Sequence, residues 1–169
     1  MPHFTETPQT CTDAGRAQWM GLLARAPVDL LERGLSGHAD VRATWLKAPQ
    51  TGLMMVRARA GGSGEKFNLG EATVTRCVLR LVDCDGQPAV VGVAYVLGRS
   101  HRQAQLMAMA DALLQLPAQR ERLEASLLAP LRAHLDACRQ RQQAQAESTR
   151  VDFLTVAREA ASAAAGEPA

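Results

Sequence analysis

Aromatic side chains are scarce in this sequence, since phenylalanine, tryptophan and tyrosine together make up 4% of its 169 residues. Proteins that bind single-stranded nucleic acid or read RNA bases stack those bases on aromatic side chains. The net charge at pH 7 is only +2, whereas a dedicated nucleic-acid binder carries a clear basic excess. The composition therefore predicts a protein with no nucleic-acid partner.

Long apolar runs and metal-binding spacings are also missing. No run approaches the roughly 20 apolar residues that cross a bilayer, and the start, MPHFTETPQTCT, lacks the basic and apolar regions of a signal peptide. The cysteines Cys11, Cys77, Cys84 and Cys138 form no CxxC pair and no cysteine–histidine zinc spacing. We expect a cytoplasmic protein with reduced thiols, no membrane association and no bound metal.

Recognisable catalytic motifs are missing as well. The sequence contains no HxH, no HExxH and no GxSxG, and its four histidines are widely separated. The catalytic residues are therefore unknown from the residues alone. A domain that binds or assembles is favoured over one that catalyses.

What the sequence does contain is enough apolar material for one folded core. Hydrophobic residues make up 47% of the chain, and 169 residues are typical of a single domain. We predict one domain over residues 13–158. Residues 1–12 are polar with two prolines, and residues 159–169 are rich in alanine, so both are expected to be flexible tails.

Hydrophobic periodicity predicts an α+β fold. Helical spacing favours helices over residues 13–26, 28–35, 101–116, 119–128 and 130–147, with Ser100 capping the central one. Strand-like runs occupy residues 41–46, 53–60, 72–83 and 89–97, and the turn sequence DCDGQP separates the last two. The prediction is an antiparallel meander of about four strands, packed with N-terminal, central and C-terminal helices.

The strand-like runs differ in which faces they should bury. In residues 53–60, Met54 and Val56 share one face while Arg57 and Arg59 share the other, which predicts a half-buried strand with a basic outer face. Residues 89–97 are nearly all apolar, which predicts burial on both faces. The cationic sheet face fits either a solvated surface or a ligand or partner surface.

The stretch GGSGEKF, residues 61–67, connects two of these strands. Gly61, Gly62 and Gly64 can adopt positive φ and leave their N–H groups unobstructed, as an anion-binding nest requires. Lys66 would add positive charge. The stretch is not a Walker A loop, because phenylalanine rather than serine or threonine follows the lysine.

Two interpretations of this glycine loop remain open. A glycine-rich strand connection with solvated charges is favoured on composition. The alternative is an anion, substrate or interface site. Its candidate residues are Gly61, Gly62, Gly64, Lys66, Arg76 and Arg99, the arginines being at strand ends.

Asp111 lies within an almost wholly apolar helical run. A buried carboxylate is costly unless it is paired, so we expect an arginine such as Arg76 or Arg99, a backbone N–H or a partner group to meet it. Asp111 would then be a structural buried carboxylate. The alternative places it on a solvent-exposed edge of the helix near Gln115.

Segments spread from Arg16 to Arg158 carry a family resemblance. In order, they are RAQWMGLLA from Arg16, TGLMMVRARAGGSGEKF from Thr51, GEATVTR from Gly70, YVLGR with the segment at Asp111 behind it, LLAPL from Leu127 and RVDF from Arg150. Together they resemble PhnG, the family of G subunits of the carbon–phosphorus lyase system for phosphonate use. Agreement in order and spacing makes this more specific than a single glycine loop.

The resemblance implies a subunit of a cytoplasmic hetero-oligomer with the H, I, J and K subunits, linked also to L, with the I subunit as closest partner. It implies a role in α-D-ribose 1-methylphosphonate 5-triphosphate synthase, in which an alkylphosphonate displaces adenine from MgATP. MgATP would be a substrate of the complex, with no cofactor bound by this chain itself, and the chain would be inactive alone. The alternative is a non-catalytic assembly subunit of the same complex.

Four positions depart from the family pattern. Ser63 and Lys66 stand where threonine and arginine are usual, and Ser100 and Gln103 stand where aspartate and histidine are usual. An obligatory ligand role is therefore not expected at the last two positions.

Overall fold

The computed structural model describes residues 13–38, 41–81 and 90–151, and these form an α+β fold. The elements are α1 (Asp13–Leu23), α2 (Val28–Leu35), β1 (Ala43–Ala58), β2 (Phe67–Leu81), β3 (Val91–Leu97), α3 (His101–Leu114), α4 (Pro117–Leu123) and α5 (Ala129–Ser148). Short 3₁₀ turns occupy Ser36–His38 and Ala60–Gly62. The predicted tails, the DCDGQP turn and the RVDF segment beyond Val151 lie outside the described residues.

The sheet is antiparallel with the order β1-β2-β3. The predicted number of about four strands was wrong, because the runs 41–46 and 53–60 belong to one long strand, β1, that continues through Pro49. Proline is tolerated on an edge strand, and β1 pairs only with β2 among the described strands. Register shifts between Trp45 and Gln50 absorb the irregularity that Pro49 introduces.

The core lies between α3 and one face of the sheet. Buried side chains of β2 and β3 meet α3, and α1, α2, α4 and α5 add further buried residues around that helix. Gly92 of β3 permits a very close approach, since a Cβ built there would lie 2.0 Å from the carbonyl oxygen of Ala108. The helix and the sheet therefore pack backbone against backbone at this point.

Strand β3 is buried on one face only. Ala94 and Val96 are buried, whereas Tyr95 and Leu97 are 46% and 76% exposed. The prediction of burial on both faces was wrong, because an all-apolar run does not by itself show how many layers cover it. The outer face of the sheet thus presents apolar side chains.

The C-terminal helices α4 and α5 are joined by a π-helical turn, Glu124–Leu128, rather than by a break. Pro130 lies in the first turn of α5, as predicted, where a missing N–H costs little. Leu123, Leu127 and Leu131 are buried in the core. Beyond Leu135, α5 is almost entirely exposed.

Candidate functional site

Strands β1 and β2 extend past β3 as a two-stranded hairpin, residues 53–73, which we call the hairpin arm. The last pair between β2 and β3 joins Val74 to Leu97, while β1 and β2 stay paired as far as Ala58 and Phe67. The six additional residues of β1, at about 3.3 Å each, carry the arm roughly 20 Å beyond the three-stranded part. Residues 59–66 close its tip.

The hairpin arm exposes apolar side chains on both faces. Leu53 and Met55 alternate with Met54 and Val56, and their exposed fractions run from 39% for Val56 to 66% for Leu53. On β2, Phe67 and Leu69 are 46% and 63% exposed. The prediction of a half-buried strand was wrong, since α3 buries β2 only from Thr75 onward.

The tip of the hairpin arm depends on its glycines. Gly61, Gly62 and Gly64 have φ values of 59°, 77° and 81°, a region that other residues rarely adopt. Arg57 donates through Nη2 to the carbonyl oxygen of Lys66 at 3.5 Å, across the base of the turn. All residues from Arg59 to Lys66 are exposed, so the backbone and charges of this tip face outward.

The other candidate cations lie elsewhere. Arg76 is opposite Gln50 and Tyr95 in the three-stranded part of the sheet. It is ten residues along β2 from Lys66, or roughly 33 Å in extended chain. Arg99 follows Gly98, whose N–H donates to the carbonyl oxygen of Thr73 at 2.8 Å, near the base of the arm. The structure therefore does not bring Arg76 or Arg99 to the tip, and no single small anion can contact all of them within this chain.

A chain of hydroxyl groups fixes the base of the hairpin arm to α3. The Thr75 hydroxyl donates to the Gly98 carbonyl oxygen at 2.7 Å, so it must accept from the Thr51 hydroxyl, 3.0 Å away. Thr51 has then used its only proton and accepts from Nε2 of His101 at 3.0 Å. His101 consequently carries a proton on Nε2. The sequence alone does not reveal this network, because it joins residues from three elements that are far apart in the chain.

Asp111 is fully buried and accepts hydrogen bonds from two other elements, α1 and β3. Arg16 donates through Nη2 at 2.7 Å and Nε at 3.2 Å, and Trp19 donates through Nε1 at 3.1 Å. The backbone N–H of Val93 donates at 3.0 Å. The arginine that meets Asp111 is thus Arg16 of α1, not Arg76 or Arg99.

Asp111 also protects the open edge of the sheet at β3. The backbone N–H of Val93 lies at the edge of β3 that has no neighbouring described strand. Asp111 accepts its hydrogen bond. Gln115 similarly donates through Nε2 to the Val91 carbonyl oxygen at 2.9 Å. Asp111 of α3 and Gln115, the residue after α3, therefore form hydrogen bonds with backbone groups that would otherwise be open to another strand.

The two departures from the family pattern near α3 have structural contacts. Ser100 caps the helix, as predicted, by accepting from the Gln103 N–H at 3.3 Å. Gln103 donates through Nε2 to the Ala26 carbonyl oxygen at 2.8 Å, which ties α3 to the segment between α1 and α2. Both side chains thus stabilise the start of α3.

An open cleft of about 410 Å³ lies among α2, α3 and β1. Its apolar wall includes Trp45, Leu106 and Met109, and Glu32 and Arg102 lie at its rim. These two pair with each other at 2.8 Å, so the rim charges are already satisfied. The cleft is a weaker candidate site than the hairpin arm.

Within the described ranges, no group of three or more histidine, cysteine, aspartate and glutamate side chains could hold a metal ion. None of the helices in the same ranges has the length and apolar character needed to cross a membrane.

Cys77 should be nearly inert in the folded protein. It is fully buried on β2, its Sγ donates to the Ala104 carbonyl oxygen at 3.1 Å, and burial raises the pKa of its thiol to about 11. Since the thiolate is the reactive form, we expect iodoacetamide to alkylate Cys77 on the order of 100-fold more slowly at pH 8 than the partly exposed Cys138. Mass spectrometry of each cysteine checks this. Equal rates at the two sites would contradict the described packing.

Comparison with known proteins identifies the family. Residues 14–159 match the family described as phosphonate metabolism protein PhnG. The chain is 40% identical over 157 residues to the α-D-ribose 1-methylphosphonate 5-triphosphate synthase subunit PhnG of Rhizobium meliloti (strain 1021), covering 90% of this chain and 97% of that protein. An α+β chain whose sequence matches over this length is a family member, and this chain belongs to the PhnG family of phosphonate metabolism proteins.

Proposed function

We propose that this chain is a subunit of an α-D-ribose 1-methylphosphonate 5-triphosphate synthase complex and supports the displacement of adenine from MgATP by an alkylphosphonate. The named relative is a subunit of that synthase. The observation that carries the proposal is the exposed glycine tip of the hairpin arm, with its cationic side chains. The MgATP would be a substrate of the complex and not a cofactor of this chain.

The chemistry of the tip suits such a role. The substrates carry phosphonate and triphosphate groups. The tip presents Arg59 and Lys66, with Arg57 next to it on β1, against the single carboxylate of Glu65. Exposed N–H groups at positive-φ glycines add donors that need no proton transfer. Such groups act by positioning the anions and stabilising their charge.

The reach of the hairpin arm supports placing the reaction at a site on a neighbouring subunit. Because the tip lies roughly 20 Å past the three-stranded part of the sheet, it can reach a site formed by a neighbouring subunit. The I subunit is the proposed neighbour, within an assembly that also includes H, J, K and L. Arg76 and Arg99 lie too far from the tip to hold the same anion and would instead contact a neighbouring chain.

A second candidate function is purely structural assembly. The exposed apolar side chains of the hairpin arm favour it, since soluble monomers rarely expose a contiguous patch of this kind. In that case the charges of the tip would serve only to orient the contact. The two functions differ in what loss of the Lys66 charge would do to the reaction.

Lys66→Ala is expected to lower phosphonate-dependent adenine release from MgATP by roughly 10-fold to 100-fold in the assembled complex, because one charge-stabilising donor is lost. Lys66→Arg keeps the charge and should keep most of the rate. Adenine is measured by chromatography, and size exclusion confirms that the complex is intact. The matched control is Arg122→Ala, an exposed cation on α4 away from the hairpin arm, which should change the rate far less.

An intact complex with an unchanged rate in Lys66→Ala would reject the anion-positioning role. Loss of the complex in Lys66→Ala would favour the structural alternative instead.

A further inference from the structure

No other part of the described residues covers the apolar surface of the hairpin arm. A two-stranded hairpin alone is marginally stable in water, and six of the arm's apolar side chains are 39–66% exposed. These side chains lie on both faces, so contact with a flat surface would cover only half of them. An occupant that covers the arm must therefore surround it.

The backbone edges of the hairpin arm point to the same conclusion. At the open edge of β3, Asp111 and Gln115 form hydrogen bonds with backbone groups. On β1, the segment next to the core carries Lys47 and Pro49. By contrast, residues 52–56 of β1 and 67–70 of β2 contain neither proline nor a charged residue. Among the described residues, nothing pairs with the outer edge of either segment. Edges left in this state are ordinarily covered by a partner.

Charge distinguishes between possible occupants. The hairpin arm carries Arg57, Arg59 and Lys66 against Glu65 and Glu71, and the exposed Arg76 and Arg80 lie on the adjoining sheet face. Two copies of this chain joined arm to arm would bring like charges together. A partner with acidic side chains around its cleft is electrostatically complementary and would also associate faster.

We infer that the hairpin arm inserts into an apolar cleft with an acidic rim on a different subunit of the synthase complex, and that this insertion holds the chain in the assembly. The inference rests on the proposed function, since it takes the occupant from the same complex. The tip then emerges at the far end of the cleft, where the anionic substrates are proposed to bind.

The test uses the full chain co-expressed with the other synthase subunits, one of which carries an affinity tag. Leu53→Asp and Leu69→Asp place a charge in the inserted surface and should each lower the amount of chain that is retained by more than 10-fold. Val151→Asp is the matched control, because Val151 is 69% exposed, like Leu53 and Leu69, but lies beyond α5. It should be retained like the unaltered chain.

Two further measurements show whether a folding defect causes the loss of retention and whether the partner's cleft has an acidic rim. A photo-crosslinking amino acid at position 55 in the otherwise unaltered chain should link to a different subunit. The double change Arg57→Glu and Arg59→Glu should lower retention by at least 10-fold. Crosslinks to a second copy of this chain would overturn the inference, and unchanged retention after the charge reversal would overturn the acidic rim.

The outcomes separate this inference from the proposed function. Normal retention of both Leu53→Asp and Leu69→Asp overturns the insertion, whatever Lys66→Ala does to adenine release. An unaltered chain that fails to co-purify with any subunit overturns both. If the Lys66→Ala complex is intact and fully active, the anion role of the tip is rejected. Loss of retention in Leu53→Asp and Leu69→Asp would still support insertion in that case.

Discussion

Asp111→Ala is expected to lower the free energy of unfolding by roughly 3–5 kcal/mol, the usual range when one partner of a buried ion pair is removed. The carboxylate is fully buried and accepts from Arg16, Trp19 and the Val93 N–H. Without it, the Trp19 and Val93 donors are left in the interior with no described acceptor, at about 1–3 kcal/mol each. Part of the cost is offset because the Arg16 side chain is 36% exposed and can be hydrated.

Thermal unfolding followed by circular dichroism checks this expectation. For a chain of this size, the loss corresponds to a fall in Tm of about 10 °C. Asp136→Ala is the matched control, since it removes an aspartate–arginine pair whose side chains are 59–68% exposed and should change stability by less than about 0.5 kcal/mol. Equal effects from the two variants would show that Asp111 does not join α1, β3 and α3 as described.

Gly92→Val should be the most disruptive single change in the sheet. Even the Cβ of alanine would lie 2.0 Å from the Ala108 carbonyl oxygen and 2.8 Å from the Ala112 Cβ, so strand β3 and helix α3 would have to separate. Overpacking of this kind typically costs about 1–3 kcal/mol. The cost here should lie at or above the top of that range, because the atom in the way is a backbone carbonyl oxygen. We expect Gly92→Ala to be strongly destabilised and Gly92→Val to yield little folded protein.

Gly52→Ala is the appropriate control for the glycine series. Gly52 also lies in a strand, but a Cβ there has nothing within 4 Å. Its free energy of unfolding in urea should stay within about 0.5 kcal/mol of the unaltered chain. A Gly92→Ala protein as stable as Gly52→Ala would contradict the close packing of α3 on the sheet.

Local signals in the sequence predicted much of the helical structure. Helix α2 spans Val28–Leu35, the range that periodicity between Pro27 and Gly37 predicted, and Ser100 caps α3 as expected. These features depend on neighbouring residues. The α+β class was confirmed for the same reason, since both helical and alternating patterns are visible along the chain.

Features that depend on distant residues could not be predicted. Pro49 suggested a break between two strands, because sequence does not show that the strand is at an edge where proline is tolerated. The partner of Asp111 is 95 residues away, on α1. Arg76 and Arg99, which are closer in the sequence, were the natural candidates.

The hairpin arm shows the same limit. Its alternating pattern correctly predicted extended structure in residues 53–60, but burial depends on β3, which ends at Leu97 and leaves the arm beyond Val74 without a third strand. Likewise, the sequence placed Lys66, Arg76 and Arg99 within one candidate site. Strand length separates Lys66 from Arg76 by roughly 33 Å. The anion role of the tip itself stays a prediction.

The most direct measurement of the central claim is adenine release from MgATP and methylphosphonate by the synthase subunits purified with and without this chain. We expect adenine release to depend on phosphonate only when the chain is present, and adding the chain back should restore this dependence. Without the chain, any remaining adenine release should use water instead of phosphonate. Equal phosphonate-dependent release in both preparations would contradict the proposed role in adenine displacement and leave the chain a structural subunit.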